Sequence, residues 1–196
     1  MKLVGLKPFP FLHASHSKSF QVFAGAEVSS SQIQLHYRIK AISKEAFASI
    51  ILPDISEKPA RLDDLWKSTC FECFIPVKDG TAYLEFNGSP SGDWNWYAFR
   101  DYRAGMNSVP VVAGLIPKQV SLSRSETELE VKWILPFAGV KQGLLSGGAV
   151  PTDLGAFGLT VVLNTQVATT YWATKHDGVK PDFHLRASFT YDSFRH

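Results

Sequence analysis

Apolar and polar residues alternate with a period of two along much of this chain. Ile33, Leu35, Tyr37 and Ile39 alternate with polar partners, and Leu129, Val131, Trp133 and Leu135 alternate against Glu128, Glu130 and Lys132. That period places successive side chains on opposite faces of an extended strand. The segments SIIL (49–52), STCFECFIPV (68–77), TAYLEFN (81–87), WNWYAFR (94–100), VPVVAGL (109–115), QVSLSR (119–124), GLTVVLNT (158–165), TTYWAT (169–174) and RASFTY (186–191) read as further strands. Between them lie turn signals at Asp79-Gly80, Gly88 to Gly92, Gly147-Gly148 and Asp177-Gly178. Residues 61–67, RLDDLWK, can make one helical turn, and no amphipathic helix of ten or more residues is expected. The stretch 136–156 is rich in glycine and proline and reads as a long loop with one short helix at most. Many short strands at this spacing predict an all-β domain: a β-sandwich of the jelly-roll or immunoglobulin-like kind, with two antiparallel sheets and little helix. No repeat, low-complexity tract or linker divides the chain, so residues 1–196 are expected to form one domain.

The hairpin 69–77 with 82–88 fixes its own register. If Val77 faces Ala82 across the Asp79-Gly80 turn, then Phe74 faces Glu85 and Glu72 faces Asn87. Phe71, Cys73, Ile75, Leu84 and Phe86 then share one wholly apolar face, which belongs in a core. Glu72, Phe74, Tyr83, Glu85 and Asn87 share the other, with Glu72 and Glu85 as diagonal neighbours about 7–8 Å apart. The next strand brings more aromatics beside them. The pattern does not decide whether Trp94 and Trp96, or Asn95, Tyr97 and Phe99, join the polar face.

The bulk numbers narrow the class. The chain is 45% hydrophobic and 13% aromatic, with 20 Lys plus Arg against 18 Asp plus Glu. That composition suits a folded domain and leaves no basic patch for nucleic acid or an anionic membrane. No apolar run approaches the roughly 18 residues of a membrane span. Pro8, Pro10 and the early lysines make the first residues a poor secretory signal. A cytoplasmic protein is therefore the default expectation, with periplasm and exterior left open. Cys70 and Cys73 have C-x-x-C spacing, but on a strand positions i and i+3 point to opposite faces, so they read as structural thiols.

A face that mixes carboxylates, an amide and aromatics suits a sugar. Flat rings cover the C–H face, while carboxylates, amides and guanidinium groups take the hydroxyls. Glu72, Glu85, Asn87 and Arg103 supply the polar part, and Trp94 and Tyr97 the aromatic part. A second cluster, TTYWATKHDGVKPDFH, adds Trp172 as a cleft wall and His176 as a polar contact. Asp177 and Asp182, with loop carbonyls, are the candidate calcium ligands, although their spacing matches no strong metal motif.

The blocks LDDLWKSTCFECFI, YLEFNGSPSGDWNWYAFRDYRAGM and YWATKHDGVKPDFH resemble those of bacterial DOMON-like proteins, relatives of the family 9 carbohydrate-binding modules found on xylanases. The likeness runs in order over residues 60–190 and is densest from Leu62 to Met106. It implies a β-sandwich that binds a ligand, sugars in some branches and haem in others. By position, the family's acidic strand residue falls on Glu72, its E-F-N strand on Glu85 and Asn87, and its aromatic after the turn on Trp94 or Tyr97. The xylanase modules clamp a sugar between two tryptophans, for which Trp66, Trp94, Trp96 and Trp172 are the choices. Haem-binding branches use methionine and histidine ligands, which here would pair Met106 with His176 or His184; the sequence gives haem no further support.

Three functions compete. The first is a non-catalytic module binding a carbohydrate or small polar cell-wall ligand. The second is a structural or interaction domain whose aromatics only pack. The third is a small glycoside hydrolase using Glu72 and Glu85, which fails if both carboxylates are buried against backbone amides.

Overall fold

The computed structural model describes residues 1–10, 13–110, 116–146, 148 and 153–192. Eleven strands are present among them: β1 Val4–Pro8, β2 Phe20–Val28, β3 Gln32–Ala41, β4 Cys70–Pro76, β5 Tyr83–Gly88, β6 Trp94–Phe99, β7 Asn107–Ser108, β8 Lys118–Arg124, β9 Glu128–Pro136, β10 Gly158–Asn164 and β11 Thr169–Ala173. Three short helices accompany them: α1 Ala14–Ser17, α2 Lys44–Ala48 and α3 Phe137–Ser146. The strands form one curled antiparallel sheet in the order β7-β6-β5-β4-β10-β11-β1-β2-β3-β9-β8. Where two sheets are expected, there is a single ladder whose halves meet at β1. Val4, Gly5 and Leu6 pair with β2, and Lys7 and Pro8 pair with β11.

The curl brings the halves face to face. Tyr37 of β3 meets Phe71 of β4 with ring centroids 5.1 Å apart, and Trp133 of β9 meets Phe86 of β5 at 5.2 Å. One apolar core fills the space between, from Val22, Leu35, Ile39, Val131 and Leu135 on one side to Ile75, Leu84, Leu159 and Val161 on the other. Each fully buried large side chain of this kind contributes roughly 1.5–3 kcal/mol. At Gly88 the packing admits no side chain, since a Cβ would lie 2.7 Å from Trp133. Tyr37 also donates its phenol hydrogen to the Glu72 carbonyl at 2.7 Å, so the core pins β4 at the residue that matters below.

Several sequence expectations meet tertiary context. The hairpin register is as read, with Glu72 opposite Asn87 and Phe74 opposite Glu85. Cys70 and Cys73 are free, buried and on opposite faces, one in each apolar cluster. RLDDLWK supplies a 3-10 turn at Leu65–Lys67. RASFTY, expected as a strand, instead forms a 3-10 turn at Arg186–Ser188 with one bridge from Tyr191 to Phe157. SIIL keeps only the bridge Ile50 to Thr165. The expected loop at 136–156 begins with the ten-residue helix α3, whose Val140 and Leu144 enter the core. Of VPVVAGL, residues 111–115 lie outside the described residues, as does Gly147 of the expected turn there.

Candidate functional site

On β4, β5, β6 and β10 every second side chain faces away from the core, yet that face is buried too. It carries Glu72 and Phe74 from β4, Tyr83, Glu85 and Asn87 from β5, Asn95, Tyr97 and Phe99 from β6, and Thr160 and Val162 from β10. Trp94 and Trp96 go inward, 5% and 3% exposed. The choice left open by the sequence thus falls to Asn95, Tyr97 and Phe99.

Three irregular segments cover this face. The first is residues 60–67, which run beside β6. Leu62 N–H donates to the Trp94 carbonyl and Trp94 N–H to the Ala60 carbonyl, both at 3.0 Å. Arg61 donates to Asn95 Oδ1 at 2.7 Å and to the carbonyls of Val109 and Trp96. Asn95 donates to the Leu62 carbonyl and to Asp63, and Tyr97 donates its phenol hydrogen to Asp63 at 2.7 Å. This network holds Trp66 with its ring edge-on to Tyr97, centroids 5.6 Å apart.

The second cover is the turn 100–106, where Arg103 adopts φ 50°. Its guanidinium donates to Asp182 Oδ1 at 2.9 Å. Tyr102 donates to the other Asp182 oxygen at 2.5 Å, and the His184 N–H to Oδ1 at 3.0 Å. Burial pushes the Asp182 carboxyl up, but these donors outweigh it and hold the group low. The third cover is residues 181–189. Phe189 stacks on Phe74 with centroids 5.4 Å apart, and Phe183 packs into the same outer cluster.

Together they enclose a cavity of about 310 Å³. Glu72 and Glu85 lie on its strand floor with Phe74, Tyr97, Phe99, Val162 and Tyr171. Trp66, Arg103, Met106, Pro181, Phe183 and His184 form its walls. Both carboxyls are buried, 3% and 6% exposed. Glu72 Oε2 accepts from the Thr160 hydroxyl at 3.0 Å, and Glu85 Oε1 accepts from the Asn87 amide at 2.8 Å. These partners are side chains, not backbone amides.

Burial pushes Glu72 up to about 8, helped by the charge of Glu85, against the pull of Thr160 and Arg103. Burial likewise pushes Glu85 up to about 7, against its bond from Asn87 and the Arg103 charge. Glu72 therefore retains its proton at neutral pH and Glu85 a good part of its own. His184 Nε2 stands 3.7 Å from Glu85 Oε2, within ion-pair reach. Burial and the Arg103 charge lower that imidazole to about 4, so it is neutral there and the approach is no salt bridge at neutral pH. Its Nδ1 is bonded to the Tyr83 hydroxyl at 2.8 Å.

The sequence candidates divide accordingly. Glu72, Glu85, Tyr97 and Arg103 line the cavity, and Asn87 sits behind it, fixing Glu85 and meeting the Cys70 thiol at 3.7 Å. Trp94 and Trp172 do not belong: both are core residues, because their strands present them to the inner face. His176 lies elsewhere, its Nε2 on the Lys7 carbonyl at 2.9 Å and its ring against Phe9. The calcium candidates separate as well. Asp177 pairs with Lys175 at 2.7 Å, Asp182 is taken up by Arg103 and Tyr102, and among the described residues no group of three His, Cys, Asp or Glu could hold a metal ion. Met106 and His184 both reach the cavity, but the two imidazole nitrogens already face Tyr83 and Glu85.

Among the residues the sequence did not place in the site, Trp66 and His184 matter most. Trp66 was available through the D-x-L-W motif, whose Asp63 is the anchor of the wall. His184 was marked by its proximity to Asp182 and as a haem-ligand choice with Met106.

No family model matches the chain, and no curated protein matches it. Among solved structures, a protein from Bacteroides uniformis, provisionally described as carbohydrate-binding, superposes with a TM-score of 0.68 over 97% of this chain and 84% of that one, at 13% identity. That likeness establishes a common fold. A family 9 carbohydrate-binding module from Caldicellulosiruptor kristjanssonii, solved with glucose, gives a TM-score of 0.41 over 78% of this chain and 66% of that one, at 7% identity.

Proposed function

We infer that this protein is a non-catalytic carbohydrate-binding domain of the DOMON-like kind, and that its ligand enters the cavity over Glu72 and Glu85. One observation carries the reading: a cavity of about 310 Å³ with two inward carboxyls on its floor and aromatic rings on its floor and walls. That volume lies at the small end of ligand sites, suiting one sugar ring better than a chain. The carboxyls and Arg103 offer acceptors and donors for hydroxyls, and Trp66, Tyr97 and Tyr171 offer apolar ring surface for C–H groups. The description attached to the Bacteroides uniformis fold neighbour supports the same class of ligand.

The test is tryptophan fluorescence during titration with mono- and disaccharides. Trp66 is the half-buried indole on the cavity wall, whereas Trp94, Trp96, Trp133 and Trp172 are in the core. A saturable change that disappears in Trp66→Phe is expected, with calorimetry showing at least tenfold weaker binding in Trp66→Ala. A flat response across the panel at millimolar sugar sinks the reading.

The hydrolase reading retains one favourable feature, since carboxyls that keep protons near neutral pH are what a general acid needs. Release of nitrophenol from aryl glycosides, lost in both Glu72→Gln and Glu85→Gln, would establish it in place of simple binding.

A further inference from the structure

The two floor carboxyls make no ion pair at neutral pH, although the Arg103 charge reaches both. Glu72 and Glu85 each give one oxygen to a neutral donor, Thr160 and Asn87. The other oxygens, Glu72 Oε1 and Glu85 Oε2, have no hydrogen-bond donor among the described residues, although the side chains are more than nine-tenths buried and line the cavity. The charged and titratable groups around them are already committed. Arg103 is bound to Asp182, and Asp63 accepts from Asn95 and Tyr97. His184 is held neutral, and Tyr83 bonds to that imidazole. Without a counterion between them the two carboxyls hold protons, and a matching cation favours their charged form, the protons leaving to water. The aromatic lining suits a cation as well, since rings such as Trp66 on the wall and Tyr97 and Tyr171 on the floor can attract positive charge.

The chemistry of the two vacant acceptors narrows the cation. A quaternary ammonium has no N–H to give and would leave both oxygens without a hydrogen bond. A primary ammonium has three donors and can satisfy both at once. A guanidinium fork matches one carboxylate end-on better than two separate ones.

We propose that the cavity selects a carbohydrate bearing a protonated primary amine, an amino sugar whose ammonium group sits between Glu72 and Glu85. The proposal rests on the sugar-binding reading above. N-acetylation removes the charge and two of the donors while adding bulk, so the acetylated sugar should be rejected.

The experiment is calorimetric titration of the wild-type chain at neutral pH with glucosamine, galactosamine and mannosamine, each beside its N-acetyl derivative and its parent hexose. At least one amine should bind tenfold or more tighter than both of its counterparts. Glu85→Gln and Glu72→Gln should each shrink that margin to under threefold. The wild-type comparison needs no variant, so it stands even if one misfolds. Equal or tighter binding of the parent or acetylated sugars overturns the amine proposal and leaves sugar binding in place. Silence across all nine compounds overturns both. Saturable calcium binding that the amine cannot displace assigns the pair to a metal and overturns the proposal as well.

Discussion

Two outer faces of the same curled sheet solve the problem of charge in opposite ways. On β3 and β9 the outward positions are His36, Arg38 and Lys40 against Lys132, Glu130 and Glu128. Nearly every charge there has an opposite one beside it: Arg38 with both glutamates at 3.3 Å, Lys40 with Glu128 at 3.3 Å and Lys132 with Glu130 at 3.5 Å, while His36, lowered by burial, approaches Glu130 at 2.6 Å. Water reaches them all in part. On β4 and β5 the outward positions are Glu72 and Glu85, roofed by loops and without an ion-pair partner at neutral pH. The first face stabilises itself by pairing and hydration. The second stores a mismatch that a suitable ligand can relieve. A pair of buried carboxyls kept protonated beside a cavity is thus a better guide to function here than the number of charges on a face.

The sharpest way to break this comparison is to cut the network that holds the roof over the second face. Asn95→Leu removes the acceptor for Arg61 and a donor to Leu62 and Asp63, taking three part-buried hydrogen bonds out of the network. A cost of about 3 kcal/mol in urea denaturation is expected. A cost under about 1 kcal/mol would show that the roof does not depend on this network.

A smaller effect should come from pH. Unfolded carboxyls titrate near 4.5, whereas the folded pair holds protons up to about 7 and about 8. Across that interval the folded chain binds more protons than the unfolded one, so the pair's contribution to stability falls as pH rises. The buried histidines act in the opposite direction, but their effect is complete once unfolded histidine, near 6.5, has lost its proton. Between pH 7 and pH 9 the Tm should drop by roughly 3–5 °C. The double variant Glu72→Gln, Glu85→Gln should flatten that slope; an unchanged slope would mean the pair is ionised and relaxed in the folded state.

The smallest effect belongs to the first face. Glu130→Gln should cost under about 1 kcal/mol, and less at high salt, as expected of a half-exposed ion pair in a ladder of alternatives. A large cost in chemical denaturation would erase the contrast between the two faces.

Much of this was legible in the sequence where chemistry differed between faces. The hairpin register could be read because Phe71, Cys73, Ile75, Leu84 and Phe86 are apolar without exception. The next strand could not be read, because WNWYAFR has aromatics at both parities. What decides it is a long-range bond set, Arg61 and Asp63 converging on Asn95, which no local pattern announces. The same limit explains Trp94 and Trp172. A tryptophan beside a polar loop looks like a sugar platform, but alternation within β6 and β11 sends both indoles into the core. The roof was the least legible part. Its residues are coil, so no periodicity marks them, and RASFTY even mimics a strand while Phe189 in fact stacks on Phe74. The strands β1 and β2 were also missed, the first masked by Pro8 at its end and Pro10 beyond it, the second by apolar residues on both faces.

The double pairing of β1 has a kinetic consequence. Residues 4–8 join the two halves of the ladder, which stay separate sheets until residues 4–8 meet residues 169–173. Contacts so distant in sequence form late, and chains dominated by them fold on the scale of milliseconds to seconds. Until that meeting, β2 and β11 each present an open edge on which another copy of the chain can pair. Once the first strand finds the last those two edges are covered, and the ladder ends at β7 and β8.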